Sequence, residues 1–176
     1  MQDVFDEQVS FADLGLRNSL LKALDEAGFE HPTHIQSKLI RPMLDGRDLL
    51  GQAKTGTGKT AAFLVALFQH LLTHPAPASR TDTQPRALVL APTRELAIQI
   101  DKDARLLGKY LDMRLRLVYG GTGYESQRRD LQAGVDVLIG TPGRIIDYLK
   151  QGIYSCDALP VVVLDEADRM FDLGFI

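Results

Sequence analysis

Two short runs of this chain carry side chains suited to phosphate chemistry. In AKTGTGKT (53–60), Gly56 and Gly58 are flanked by Thr55 and Thr57. Glycine reaches backbone conformations that other residues resist, so such a loop can close its N–H groups around phosphate oxygens. Lys59 adds a point charge for the β and γ phosphates. Thr60 offers a hydroxyl to Mg²⁺ at the start of a helix whose N-terminal amides favour anions. The second run is Asp165-Glu166-Ala167-Asp168, directly after the apolar Val161-Val162-Val163-Leu164. A buried strand ending in two acids fixes its carboxylates where they emerge at the C-terminal edge. This assigns Asp165 to Mg²⁺ through bound water, since the cation keeps part of its hydration shell, and Glu166 to orienting or deprotonating an attacking water. Both runs must converge on one triphosphate for the reading to hold.

The elements that position these residues follow from periodicity. Residues 17–27 (RNSLLKALDEA) have apolar side chains at helical spacing and stop at Gly28, suited to a left-handed cap. A short helix is expected after Pro32-Thr33. Strands are expected over 47–52, 86–91, 114–119, 135–140 and 161–165, separated by helices near 59–73, 93–109, 123–132 and 142–150. That alternation predicts an α/β fold, a parallel sheet with helices on both faces. The helix from Lys59 is apolar on nearly every side, so it should be covered all round. HPAPASRTDTQP (74–85) reads as a surface loop.

Composition bounds the partners. With 176 residues, 45% hydrophobic and 24% charged, the chain suits one domain over 1–176. Net charge is −3, so any nucleic-acid contact must be local rather than driven by a global positive field. The single cysteine, Cys156, excludes an internal disulfide and fits a reducing compartment. MQDVFDEQVS is acidic and lacks an apolar h-region, and no stretch reaches the apolar length a bilayer requires. The expectation is a soluble cytoplasmic protein with no membrane contact.

Taken with their order, these segments resemble the DEAD-box family of ATP-dependent RNA helicases, in the first of its two RecA-like domains. GFEHPTHIQ (28–36) is similar to the family's adenine-reading Q motif, with Phe11 as the upstream aromatic. AKTGTGKT resembles motif I, where Ala53 in place of the general pattern's Gly is usual for the family. PTRELA (92–97) resembles motif Ia, Gly120-Gly121 the GG element, TPGR (141–144) motif Ib, and DEAD motif II. The segments QPRAL, APTRELA, VDVLIG and VVVLDEADRM followed by DLGFI look most like the RhlB-type bacterial subgroup, whose members are associated with RNA turnover and an endoribonuclease partner.

The resemblance implies ATP and Mg²⁺ as ligands and RNA as substrate. It implies Gln36 on the adenine edge, Phe11 on the adenine face and Thr33 supporting the loop at 55–58. Lys59 and Thr60 would meet phosphate and metal, and Asp168 would couple the site to motif III. Pro92, Thr93, Arg94, Gly121, Thr141, Gly143 and Arg144 would line the RNA backbone, contacts that position a strand without identifying its bases.

Alternatives stand beside several of these readings. Thr33-His34-Ile35-Gln36 is also a capping box, which would use the same glutamine to close a helix. Thr141 and Pro142 are ordinary helix-start residues, although a capped start is also a phosphate seat. Arg94 fits the solvated first turn of a helix, and Asp168 a helix-capping acid. Asn18 is the only asparagine and no NKxD element exists, so guanine recognition has no signature. At the level of the whole chain, a DNA-directed P-loop motor and a nucleotide- or partner-binding module without catalysis compete with the helicase reading. The sequence up to Ile176 contains no SAT-like motif III and no second RecA-like lobe. The expectation is therefore that this segment alone has little or no ATPase or unwinding activity, and that its sheet lacks a middle strand and is either marginally stable or held in a conformation that belongs to a longer chain.

Overall fold

The structure is a computed structural model and describes residues 5–54 and 56–175. It divides into two compact units, Met1–Pro75 with Arg105–Leu111, and Ala76–Ala104 with Asp112–Ile176.

The first unit is helical. α1 (Asn18–Glu26) ends where the sequence predicts. Gly28 takes φ +79°, and the Phe29 N–H reaches back to the Leu24 carbonyl at 3.0 Å, satisfying a group the helix leaves open. α2 (His34–Leu44) follows the N-cap Thr33 and carries Pro42 in its last turn. α3 (Lys59–Thr73) begins directly after Gly58 and buries Ala62, Leu64 to Gln69 and Leu71, as its unbroken apolar run requires. α3 packs against both α1 and α2, with Leu20, Leu24, Ile40, Leu64 and Phe68 fully covered. Its buried Gln69 is satisfied: Oε1 accepts the Arg17 N–H at 2.9 Å and Nε2 donates to the Gly15 carbonyl at 3.4 Å. Lys109 and Tyr110 both donate to Glu26, which holds the segment Arg105–Leu111 against α1.

The expected strand over 47–52 does not form. All six residues are exposed, Leu50 at 96%, and none enters a ladder. A strand needs a neighbour for its N–H and C=O groups, and local preference cannot supply one.

The second unit holds a sheet of β1 (Ala87–Leu90), β2 (Leu115–Val118), β3 (Val137–Gly140) and β4 (Val161–Leu164). Their order is β2-β3-β1-β4 and every pairing is parallel. The crossovers contain α4 (Arg94–Leu107), α5 (Tyr124–Gln132) and α6 (Pro142–Lys150), and α7 (Ala167–Asp172) follows β4. This is the parallel α/β sheet that the alternation predicts, consistent with a RecA-like domain. Leu88, Val118 and Leu138 turn into a cluster with Leu131 of α5 and Ile145 and Tyr148 of α6. Val89 of β1 and Ile139 of β3 alternate to the opposite face and are just as buried, which is why these two strands read as unbroken apolar runs. β4, expected to be buried as well, instead leaves Val162 and Leu164 exposed at the sheet's edge, where only β1 pairs with it.

The loop at 74–85 is less free than its composition suggests. Arg80 within it is nearly buried and donates to the Val135 carbonyl at 2.6 Å and to Asp136 Oδ1 at 2.8 Å. Asp136 Oδ2 also accepts the Arg114 backbone N–H at 2.8 Å and its Nε at 3.2 Å. Burial pushes this carboxyl upward, but the Arg114 amide and guanidinium, aided by the charge of Arg80, hold it below the ordinary carboxylate value. Among the described residues, no helix is long and apolar enough to cross a membrane.

Candidate nucleotide and RNA-contacting sites

In the first unit, α2 and the glycine-rich loop are joined by Thr33 and Gln36. Thr33 is extended (φ −70°, ψ 160°), and the capping box is complete. Its Oγ1 accepts the Gln36 N–H at 3.4 Å, while Gln36 Oε1 accepts the Thr33 N–H at 2.8 Å. Both side chains also reach the loop: Thr33 Oγ1 donates to the Thr57 carbonyl at 2.9 Å, and Gln36 Nε2 to the Gly58 carbonyl at 3.1 Å. The helix-closing reading of Gln36 is thus realised together with a clamp on the loop. A carboxamide has two N–H donors and two oxygen lone pairs, so one of each remains after these bonds, on a side chain only 2% exposed.

The loop turns on left-handed glycines, Gly56 at φ +79° and Gly58 at φ +92°. A Cβ on Gly58 would lie 2.5 Å from Gln36 Nε2, so the clamp also demands the missing side chain. Thr57 Oγ1 donates to the Lys54 carbonyl at 2.8 Å, and the Lys59 ammonium donates to the carbonyls of Ala53 and Lys54. Thr60 is half-buried in the first turn of α3, and Thr55 lies outside the described residues. Loop amides, a lysine at a helix start and a threonine hydroxyl form a donor set that fits a polyphosphate. Phe11 is 4% exposed and packs edge-on to Phe29, centroids 6.2 Å apart, which makes its ring part of the core. Sequence reasoning passed over Phe5. It bridges to Thr33 and, with Glu7, Gly28, Glu30 and His31, lines a cleft beside the start of α2. Only its aromatic type could have flagged it.

In the second unit the parallel sheet sends every post-strand loop to one edge, where ligands of open α/β sheets bind. The order along that edge is Gly120-Gly121 after β2, Thr141 to Arg144 after β3, Pro92 to Arg94 after β1 and the acids after β4. The Asp165 N–H donates to the Leu90 carbonyl at 3.0 Å, which extends the ladder to the first acid. Asp165 Oδ1 accepts the Glu166 N–H at 3.1 Å. Glu166 is left-handed (φ 50°, ψ 50°), alone among described non-glycine residues, and its Oε2 meets Arg169 Nη1 at 3.4 Å. Asp168 is exposed in the first turn of α7. The carboxylate of Asp165 in this unit and, taken separately, the hydroxyl of Thr60 in the first unit are each oxygen donors of the kind that Mg²⁺ accepts.

The remaining edge residues divide between structure and exposure. Pro92 is buried, and Thr93 Oγ1 accepts the Leu96 N–H at 3.3 Å to cap α4. Arg94 is exposed over the Tyr119 ring, 5.7 Å from its centroid. Thr141 precedes α6 in extended geometry with Pro142 at the first turn, yet its hydroxyl makes no capping bond. Gly143 is exposed with open space where a side chain would stand. Arg144 rests on the rings of Tyr124 and Tyr148, 4.8 and 5.4 Å from their centroids.

Residues 33–176 match the sequence profile described as DEAD/DEAH box helicase. The chain belongs to the DEAD/DEAH box helicase family. Curated relatives agree on the subgroup. An ATP-dependent RNA helicase RhlB from Shewanella amazonensis is 59% identical over the whole chain and 40% of its own length. That from Shewanella denitrificans is 60% identical over 94% of the chain and 38% of its length, and that from Pseudoalteromonas atlantica 56% over the whole chain and 41% of its length. The chain thus spans about two fifths of the curated relatives it matches. In this DEAD-box chain the matched region begins at Thr33 and takes in the loop at 53–60, the acids after β4 and the three arginine- and glycine-bearing loops between them.

Proposed function

We propose that this chain is the ATP-binding, RNA-contacting lobe of an RNA helicase that hydrolyses ATP and, with a second RecA-like lobe, unwinds or remodels short RNA duplexes. The observation that carries the nucleotide half is the clamp of Thr33 and Gln36 on the carbonyls of Thr57 and Gly58, which ties a base-side element to a phosphate-side loop. The names of the relatives support the choice of RNA.

Each residue has a task in this reading. Gly56, Thr57, Gly58 and Thr55 supply loop amides to phosphate, and Lys59 turns from the loop carbonyls to the β and γ phosphates. Gln36 uses its remaining donor and acceptor on the adenine edge, with Phe11 supporting the base side from the core. Thr60 and Asp165 would each offer an oxygen to Mg²⁺, which would neutralise charge on the phosphates when bound. Glu166 orients the attacking water and takes its proton, and Asp168 couples this lobe to motif III. Pro92, Thr93, Arg94, Gly121, Thr141, Gly143 and Arg144 hold the RNA backbone, so binding does not depend on sequence. ATP and RNA both favour closure of the two lobes, and that differential affinity does the strand separation. The finer reading places the protein in the cytoplasm, in RNA turnover beside an endoribonuclease; co-purification of that nuclease with the full-length protein tests it.

The deciding experiment has two arms. Labelled ADP is titrated with and without Mg²⁺, and ATP hydrolysis by the full-length protein is followed with single-stranded RNA or DNA of one sequence. Saturable ADP binding and stimulation by RNA well above DNA are expected. Absence of binding removes the nucleotide reading, and equal stimulation removes the RNA assignment.

A further inference from the structure

We propose that Gln127, which lies in none of the sequence motifs, is a positioning residue that sets Arg94 and Arg144 together for one RNA backbone. The proposal rests on the RNA-contacting reading above and deepens it.

Gln127 sits in the polar helix α5, where its type and spacing suggest only a solvated side chain. Its carboxamide is instead fully used. Oε1 accepts the Tyr119 N–H at 3.0 Å and Arg144 Nη1 at 3.3 Å, while Nε2 donates to the carbonyls of Tyr119 at 3.3 Å and Thr122 at 3.0 Å. Those bonds exhaust its two donors and two lone pairs. By gripping both the N–H and the C=O of Tyr119, it fixes the path of the turn after β2 as a neighbouring strand would. That turn carries the Arg94 side: the Tyr119 ring lies under the guanidinium, and a Cβ on Gly121 would meet Arg94 Nη2 at 2.9 Å.

The Arg144 side is held from the same carboxamide. Its internal hydrogen bonds all use Nη1, to Gln127 Oε1 and Tyr148 Oη at 3.3 Å and to the Thr122 carbonyl at 3.5 Å. Tyr148 is fully buried and donates to the Tyr124 carbonyl at 2.6 Å, so this seat is itself fixed. The Nε and Nη2 edge of Arg144 makes no hydrogen bond among the described residues. It is the fork that grips a phosphate through two parallel bonds. One side chain thus joins the loops after β2 and β3 directly, and reaches Arg94 after β1 through the Tyr119 ring that it holds in place.

The test uses full-length protein, fluorescein-labelled oligouridylate and a non-hydrolysable ATP analogue, read by anisotropy across a salt series. Gln127→Met keeps the volume and removes all the hydrogen bonds. The expected result is RNA binding weakened about tenfold, equivalent to loss of about 1.4 kcal/mol. The slope of log affinity against log salt should become shallower by about 0.7 for each phosphate that the protein no longer neutralises. ADP affinity should stay at the wild-type value and the variant should still melt cooperatively, at a modestly lower temperature because the Tyr119 N–H and C=O lose their side-chain partner. Gln127→Glu keeps the acceptors but pairs its carboxylate with Arg144, and should weaken RNA binding in the same way. Should either folded variant bind RNA with the wild-type affinity and salt slope, while Arg94→Ala and Arg144→Ala weaken it, the positioning role is overturned and the RNA reading stands. Should the two arginine variants themselves leave RNA binding unchanged, both fail.

Discussion

Replacing Gly58 by alanine probes the link between α2 and the glycine-rich loop in one atom. Two penalties are legible. At φ +92° an L-residue costs about 1 to 2 kcal/mol relative to glycine. The new Cβ would also stand 2.5 Å from Gln36 Nε2 and 3.3 Å from Thr33 Oγ1. The amide must then retract and forfeit its bond to the Gly58 carbonyl, worth about 1 kcal/mol. If nucleotide binds the loop in this shape, ADP affinity should fall about 30- to 140-fold, the equivalent of 2 to 3 kcal/mol. Fluorescent ADP titration measures it. The steric share can be separated, because Gln36→Ala empties the space the Cβ enters. In that background Gly58→Ala should cost only the backbone share, a coupling of about 1 kcal/mol between the sites. Equal cost in both backgrounds, or wild-type affinity in the single variant, would refute the clamp as drawn.

Three further outcomes are expected. Lys59→Ala removes charge-assisted bonds worth about 1.5 to 3 kcal/mol each, and ATP titration should show affinity reduced about tenfold or more. Glu166→Gln should retain ATP binding while single-turnover hydrolysis by the full-length protein falls about 10² to 10⁴-fold; unchanged hydrolysis removes Glu166 from its role. Asp136→Asn should destabilise the fold by about 1.5 to 3 kcal/mol in urea melts, because Arg80 loses its charged partner, with little added for the half-exposed Arg114. The folded-state pKa of Asp136 lies below its unfolded value. Its contribution is therefore present above an ordinary carboxyl pKa near 3.9, and is lost as pH falls through the depressed value. The gap between wild type and Asp136→Asn should thus be flat from about pH 5 to 8 and shrink below about pH 4.

Where the determinants are local, the sequence was a good guide. α3 begins at Lys59 because the glycine pattern before it has few other solutions, and α6 spans 142–150 as expected from Thr141-Pro142 and the apolar spacing behind them. The apolar runs at 86–91, 114–119, 135–140 and 161–165 become strands because each finds a parallel neighbour. Residues 47–52 have a similar taste for extension and find none, so preference alone misleads. The same limit hid Gln127 and Arg80. Each reads as a polar residue on a surface segment, and each acquires its meaning from partners on another element, Tyr119 and Arg144 for one, Val135 and Asp136 for the other. A motif assigns one job per residue, which sets helix capping and base recognition against each other at Gln36. Four hydrogen-bonding positions on one carboxamide allow more than one.

The backbone at Glu166 carries a lesson for redesign. With φ at 50°, this position would be more comfortable as glycine or asparagine, and a stability-guided engineering campaign would offer those replacements first. Accepting them would yield a sturdier chain that has discarded the acid proposed to activate the attacking water. Screens that rank variants by melting temperature alone should exempt this position.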